Sequence, residues 1–344
     1  MDLASKYRPS TFEDVCEQGA VVKTLQNICN SGKLVNRNFL FIGSPGCGKT
    51  SLSRVLNNVL NKGEADPVEV DAASYSGVDS TRELVKQMKS YPLNGQYKVF
   101  ILDEVHAFSN QSWQVLLKPI EEVPAKTVIC MCTTNPEKIP ATILSRVQVF
   151  QLSKISLEGI VNRLQYILQQ EGYTEGTGEN TYSLDAVTFI AKLAKGGMRD
   201  AITLLTKVLA YSNEVNISTV KESLNLPNYD EYFNLLNNLV GKKNIEIMAT
   251  IDRVYNSGVN FVEWFAEFHS FLCNIVKYIC LQDISRTMIP SIYENKISKY
   301  GNNHLIICLK LSQKMLNLVK DLKSTQYLQE TAITYLCSTA KKGN

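Results

Sequence analysis

The feature that most constrains this chain is an eight-residue segment, GSPGCGKT, at residues 43–50. It matches the pattern G-x-x-x-x-G-K-[ST], in which glycines let backbone N–H groups crowd around phosphates. A short apolar run, residues 38–42, precedes it, and a stretch of helical pattern follows. This is the strand–loop–helix context that the motif requires. The sequence therefore predicts a loop that binds the phosphates of a nucleotide, called the phosphate loop below.

The first half of the chain alternates short apolar runs with stretches of helical pattern. Continuous runs rich in Val, Ile and Phe are typical of parallel strands covered by helices on both faces. We therefore predict a doubly wound α/β domain with a five-stranded parallel sheet. The predicted strands are residues 38–42, 68–71, 98–102, 127–132 and 147–152, and the predicted helices between them include 50–60, 80–90 and 112–122.

From about residue 153 onward we expect helices and no strand. Ser156 and Ser183 are predicted N-caps of helices 156–171 and 183–194, and a third helix is expected at 199–211. A polar connector around Pro227 marks a boundary, after which apolar residues recur at helical spacing. The predicted domains are a nucleotide-binding domain at 1–152, a helical domain at 153–225 and an all-helical domain at 226–344.

Composition excludes several classes of protein. The chain has 344 residues with 36 Lys+Arg against 33 Asp+Glu, and a net charge of +3 does not by itself indicate a nucleic-acid binder. No apolar run approaches the roughly 18–20 residues of a membrane span, and the N-terminus is polar, so we expect no signal peptide and no membrane partner. The nine scattered cysteines then favour reduced thiols in a cytoplasmic protein.

A second motif supplies a partner for the phosphate loop. Residues 99–104, VFILDE, place Asp103 at the end of a buried strand, where its carboxylate is expected to hold Mg²⁺ with the Thr50 hydroxyl. Glu104 is the predicted general base for an attacking water, and Lys49 is expected to contact the terminal phosphates of ATP. These residues predict an ATPase that uses ATP and Mg²⁺; a small-molecule kinase with the same loop stays open at this point.

Five collinear motifs resemble those of AAA+ clamp-loader ATPase subunits, the family of the bacterial DNA polymerase III gamma/tau subunit and the replication factor C small subunits. The resemblance implies an α/β AAA+ domain followed by a helical lid and an all-α collar. The motifs are KYRPSTFEDV at 6–15 (the opening box), DEVH at 103–106 (Walker B), TTNPEKIP at 133–140 (sensor 1), LSR at 144–146 (the Ser-Arg motif) and GMRDA at 197–201 (sensor 2).

The resemblance also implies roles for individual residues. Thr134 would act as sensor 1 between Glu104 and the γ-phosphate, and Arg199 would contact the γ-phosphate of its own ATP. Arg146 would reach into a neighbour's site as an arginine finger. His106 belongs to the Walker B box, with a structural or phosphate-sensing role. The predicted nucleotide-binding residues are Ala4, Tyr7, Arg8, Val15, Cys16, Gly43, Ser44, Pro45, Gly46, Cys47, Gly48, Lys49, Thr50, Ser51 and Arg199.

The partners implied by the resemblance are other clamp-loader subunits, in an assembly that is a pentamer in this family, together with a sliding clamp and primer–template DNA. Thr81, Arg82 and Lys86, near a helix N-terminus, are the expected contacts to DNA phosphates. The family has basic residues where Tyr75 and Gly77 stand, so a weaker grip on DNA is expected. A plain amphipathic helix is the alternative interpretation.

One departure from the family concerns zinc. The bacterial gamma/tau subunit carries a four-cysteine zinc module before its second strand, whereas residues 61–67 of this chain contain no cysteine. We therefore predict no zinc, which fits a phage-encoded version of the family. Two other functions stay open: an ATP-binding structural subunit without turnover, and another AAA+ machine such as a branch-migration motor or helicase loader. Intact Lys49, Asp103 and Glu104 weigh against the first, and the opening box weighs against the second.

Overall fold

The computed structural model describes residues 2–31, 34, 37–75, 77–224, 226, 229–290 and 293–339. By compactness the chain divides into two units, Met1–Thr174 with Ile190–Ala210, and Glu175–Phe189 with Tyr211–Asn344. The motifs singled out above all lie in the first unit. The predicted connector residue Pro227 lies outside the described residues.

The first unit contains a five-stranded sheet with the order β2-β3-β4-β1-β5, in which every neighbouring pair is parallel. All five predicted strands are confirmed, with ends that differ by no more than one residue. The strands are β1 (Asn38–Ile42), β2 (Val68–Asp71), β3 (Lys98–Asp103), β4 (Thr127–Thr133) and β5 (Gln148–Gln151).

Alternate residues of these strands belong to two separate apolar cores, one on each face of the sheet. Phe39 and Phe41 of β1 pack in the core that contains Leu52, whereas Leu40 packs in the core that contains Leu116. This is the arrangement expected when helices cover both faces of a parallel sheet. The helices of this part are α1 (Leu3–Lys6), α2 (Gly19–Asn30), α3 (Lys49–Asn61), α4 (Val78–Met88), α5 (Asn110–Glu121) and α6 (Ala141–Leu144).

The segment after β5 is mainly helical, and both predicted N-caps are confirmed. The Ser156 hydroxyl accepts a hydrogen bond from the Gly159 amide at 3.0 Å, and the Ser183 hydroxyl accepts one from the Ala186 amide at 3.3 Å. The helices are α7 (Leu157–Gln170), α8 (Leu184–Leu193), α9 (Met198–Tyr211) and α10 (Ile217–Ser223).

The expectation of no strand after residue 153 is wrong. Three two-residue strands, β6 (Thr174–Glu175), β7 (Thr181–Tyr182) and β8 (Glu214–Val215), form a small sheet, with β7 and β8 parallel. A strand of two residues cannot display the alternation by which a strand is recognised in sequence.

The C-terminal part of the second unit is helical, and no strand occurs among the described residues of 229–339. The apolar residues at helical spacing in the longest run, from Phe261 to Leu272, are buried in its core. No helix within the described ranges is long and apolar enough to cross a membrane. The helices are α11 (Tyr229–Val240), α12 (Asn244–Asn256), α13 (Phe261–Leu281), α14 (Glu294–Ile297), α15 (Asn302–Leu322) and α16 (Leu328–Thr339).

Candidate active site

A cleft of about 560 Å³ lies beside the phosphate loop, entirely within the first unit. It brings together the opening box, the phosphate loop, the end of β3 and the start of α9. The predicted site residues that line it are Ala4, Tyr7, Arg8, Val15, Cys16, Pro45, Gly46, Cys47, Gly48, Lys49, Thr50, Ser51, Asp103, Glu104 and Arg199.

The phosphate loop needs glycine at two positions. Gly46 has φ +71° and Gly48 has φ +104°, a left-handed backbone that other residues adopt only at a cost in free energy. Gly48 is also the N-cap of α3 and has no side chain to accept from the helix. The N–H groups of the first turn of α3 therefore remain available to an anion.

The same loop rests against the start of α9. The Met198 amide donates to the Gly46 carbonyl at 3.0 Å, and a Cβ added to Gly46 would lie 2.9 Å from the Cα of Gly197. This close backbone approach fixes the distance between the phosphate loop and the helix that carries Arg199. Arg199 itself is exposed and lines the cleft.

Lys49 is placed to receive phosphates. Its side chain is buried, and Nζ donates to the carbonyls of Gly43 at 2.9 Å and Ser44 at 3.1 Å. The Ser44 hydroxyl oxygen is buried and has no hydrogen-bond partner among the described residues. A buried ammonium held only by carbonyl dipoles, next to an unsatisfied hydroxyl, fits a site for a polyphosphate.

Thr50 and Asp103 provide oxygen atoms suited to Mg²⁺. The Thr50 hydroxyl donates to Oδ2 of Asp103 at 2.8 Å, and Oδ1 of Asp103 accepts from the Glu104 amide at 3.0 Å. Hydroxyl and carboxylate oxygens beside a phosphate site are the ligands that Mg²⁺ prefers. When bound, the ion would neutralise charge on the phosphates.

Glu104 and Thr134 lie within hydrogen-bond distance of each other. Glu104 follows β3 directly and has a left-handed backbone, with φ +47°. Its Oε2 accepts a hydrogen bond from the Thr134 hydroxyl at 3.1 Å and lies 3.1 Å from Nδ1 of His106. A left-handed non-glycine residue at this position is the kind of backbone strain found at functional sites.

The opening box is tied to α7 by a residue that the motifs did not identify. The Arg163 guanidinium donates to the Tyr7 carbonyl at 2.9 Å and lines the cleft. Glu171 accepts from Lys6 and from the Tyr7 hydroxyl, and these hydrogen bonds lower the pKa of Glu171. Arg163 lies on an ordinary helical stretch outside every motif, so no sequence signal distinguished it from a solvated arginine.

The cleft contains another pair that sequence reasoning missed. Arg54 of α3 and Glu69 of β2 both line it and form an ion pair.

Arg146 is not among the residues that line this cleft. Its guanidinium donates to the Thr142 carbonyl at 2.8 Å and pairs with Glu121 at 3.2 Å.

The three residues predicted to contact DNA differ in exposure. Thr81 is fully buried, and its hydroxyl donates to the carbonyls of Gly77 and Tyr75, so the prediction that its side chain binds DNA is wrong. Arg82 and Lys86 are exposed on α4 and pair with acidic residues of the same helix. Their contact with DNA stays a prediction.

Comparison with known proteins gives matches along most of the chain. The family model described as DNA polymerase III, delta subunit, matches residues 67–156, and the model described as DNA polymerase III clamp loader subunit, ATPase lid domain, matches residues 159–214. Among solved structures, the RuvB Holliday junction branch migration motor of Thermotoga maritima has a TM-score of 0.53 at 17% identity, over 68% of this chain and 79% of that one. At that identity the likeness concerns the fold alone.

Relatives in sequence are DNA polymerase III subunits. The chain is 31% identical to DNA polymerase III subunit gamma of Buchnera aphidicola subsp. Schizaphis graminum, covering 91% of this chain and 90% of that protein. It is 32% identical to DNA polymerase III subunit tau of Escherichia coli, covering 76% of this chain but 42% of the relative. Together with the convergence of Lys49, Asp103 and Glu104 at one cleft, this similarity means that the chain belongs to the DNA polymerase III gamma/tau family of AAA+ clamp-loader ATPases.

Proposed function

We propose that this chain, a clamp-loader ATPase by family, uses the binding and hydrolysis of ATP to open a sliding clamp and place it on primer–template DNA. The observation that carries the proposal is the convergence of Lys49, Thr50, Asp103 and Glu104 at one cleft, with the Thr134 hydroxyl donating to Glu104. A subunit that only bound ATP would not need a carboxylate held beside the sensor threonine. Turnover is therefore favoured over a purely structural role.

Each of these side chains has a role in the binding or hydrolysis of ATP. Lys49 binds the terminal phosphates, while Thr50 and Asp103 would hold Mg²⁺. Glu104 accepts the proton of the attacking water, and the Thr134 hydroxyl fixes the Glu104 carboxylate. Arg199 contacts the γ-phosphate from the start of α9.

The site is completed by a neighbour in the assembly. Arg146 lies outside the cleft of its own chain and serves as the arginine finger of an adjacent subunit, stabilising charge in the transition state. At least some neighbours are copies of this chain, in a pentameric loader. Arg82 and Lys86 contribute to the grip on DNA phosphates.

Residues 1–152 form the nucleotide-binding domain, 153–225 the lid and 226–344 the collar through which subunits assemble. The chain works in the cytoplasm and binds no zinc, since its cysteines lack the spacing of the family's zinc module.

The test is steady-state ATP hydrolysis by the reconstituted complex, with DNA structure, clamp and salt varied independently. Primer–template and clamp together should stimulate hydrolysis more than either alone. Because DNA is held through phosphates, stimulation should fall steeply between about 50 and 200 mM salt. If junction DNA stimulates hydrolysis and the clamp has no effect, the result would favour a branch-migration motor and overturn the loader function.

A further inference from the structure

We propose that His106 is a positioning residue that holds the Glu104 carboxylate in the orientation needed for ATP hydrolysis. The inference rests on the proposed role of Glu104 as general base, and it assigns to His106 a role that acts through Glu104. It follows from the local backbone and from two distances at one imidazole nitrogen.

The backbone after β3 places the two side chains next to each other. Glu104 has φ +47°, and a 3₁₀ turn, Val105–Ala107, begins immediately after it. This tight reversal brings the His106 ring beside a carboxylate only two residues earlier. Nδ1 of His106 lies 3.1 Å from Oε2 of Glu104 and 3.2 Å from the hydroxyl of Thr133.

In this proposal the hydrogen of the neutral ring lies on Nδ1. An ionised carboxylate can only accept hydrogen bonds, so this is the tautomer in which Nδ1 can donate to Glu104. Thr133 supplies a second oxygen at the same nitrogen. It is fully buried at the end of β4, and its hydroxyl oxygen also accepts from the Asn135 amide at 3.1 Å. A rigid strand end therefore lies against the ring and limits its rotation.

The consequence for Glu104 is geometric. Its Oε2 accepts from the Thr134 hydroxyl after β4 and lies 3.1 Å from Nδ1 of the His106 ring after β3, so with the hydrogen on Nδ1 two donors from different elements face this one oxygen. The terminal torsion of a glutamate is soft, so a single donor would leave the carboxylate free to rotate. Two donors fix its plane and leave Oε1, which has no protein partner within the described part of the chain, to accept from water.

Three substitutions separate this role from simple packing. In His106→Asn the side-chain amide nitrogen takes the position of Nδ1, whereas in His106→Gln it takes the position of Nε2. In the reconstituted complex with clamp and primer–template, we expect kcat to fall about 10–100-fold in His106→Ala and His106→Gln, within the contribution of general-base catalysis. His106→Asn should recover most of kcat, and the Kd for ATP should stay within about twofold in all three.

A double-mutant cycle tests whether His106 acts through Glu104. In a Glu104→Gln background, adding His106→Ala should lower single-turnover hydrolysis no further, because coupled residues are not additive. If the two losses multiply, or if His106→Ala keeps wild-type kcat while Glu104→Gln loses it, the role of His106 is overturned. If Glu104→Gln itself keeps wild-type turnover with ATP bound, the assignment of the base fails instead. Equal kcat values for His106→Asn and His106→Gln, each well below wild type, would also contradict the proposal by indicating a packing role.

Discussion

At the scale of single residues, nucleotide binding depends most on Lys49. Its ammonium group is buried and donates to two carbonyls of the phosphate loop. A negatively charged phosphate would bind this ammonium group much more strongly than the neutral carbonyls do. Charge-assisted hydrogen bonds contribute about 1.5–3 kcal/mol, which corresponds to about 10–100-fold in affinity.

We therefore expect Lys49→Ala to weaken ATP binding by at least about tenfold, measured by calorimetric titration in the presence of Mg²⁺. The matched control is Lys89→Ala, which removes an exposed lysine at the end of α4 and should leave the affinity unchanged. Equal affinities in Lys49→Ala and wild type would contradict the assignment of the phosphate loop.

Some residues of the site could be predicted from sequence and others could not. Lys49, Asp103 and Glu104 belong to motifs whose spacing carries the chemistry, and the structure brings them to one cleft. The side chain of Thr81 was wrongly expected to contact DNA because a position near a helix N-terminus does not reveal which way the side chain faces. Arg163 reaches the opening box from more than 150 residues away in sequence, so only the fold reveals the contact.

At the scale of elements, the contact between the phosphate loop and α9 is the most specific feature of the site. Gly46 and Gly63 have nearly the same left-handed backbone, with φ of +71° and +75°. A Cβ added at Gly63 meets nothing within 4 Å, whereas one added at Gly46 meets the backbone of Gly197. Alanine substitutions at these two glycines can therefore be compared to distinguish the effect of backbone strain from the effect of the contact with Gly197.

We expect Gly63→Ala to cost about 1–2 kcal/mol of stability through backbone strain alone. Gly46→Ala should add a steric conflict that pushes α9 away from the loop, because backbone atoms cannot yield as a flexible side chain can. Hydrogen–deuterium exchange should then increase across residues 198–211 in Gly46→Ala but not in Gly63→Ala. Equal exchange in the two variants would mean that the loop does not support α9.

The elements that were predicted correctly are those long enough to show an apolar or helical pattern in the sequence. The three central strands of the large sheet, β3, β4 and β1, are buried on both faces and consist mainly of apolar residues, and α13 has a long aromatic stripe that packs in one core. The small sheet β6-β7-β8 was missed for the opposite reason. Its strands have two residues each, and Thr174 and Glu175 are exposed and polar, so neither hydrophobicity nor periodicity marked them.

In the assembled loader, we expect one subunit to complete the site of the next. Arg146 is held by a partly exposed ion pair with Glu121 and by a backbone carbonyl, and exposed pairs of this kind contribute about 0–1 kcal/mol. Arg146 would therefore lose little free energy in leaving these contacts to bind the phosphate of ATP in a neighbouring subunit. An arginine finger supplied by a neighbour contributes about 10³–10⁵-fold to turnover in related phosphoryl transfers.

Complementation between two inactive variants, assembled with clamp and primer–template DNA, tests whether each site depends on its neighbour. Lys49→Ala lacks its own nucleotide site but keeps Arg146, and Arg146→Ala keeps its site but lacks the finger. Each variant alone should hydrolyse ATP at least about 10³-fold more slowly than wild type, although Arg146→Ala should still bind ATP. A mixture should recover hydrolysis, because some intact sites then face an intact finger. Wild-type hydrolysis by Arg146→Ala alone, or no recovery in the mixture, would contradict the account.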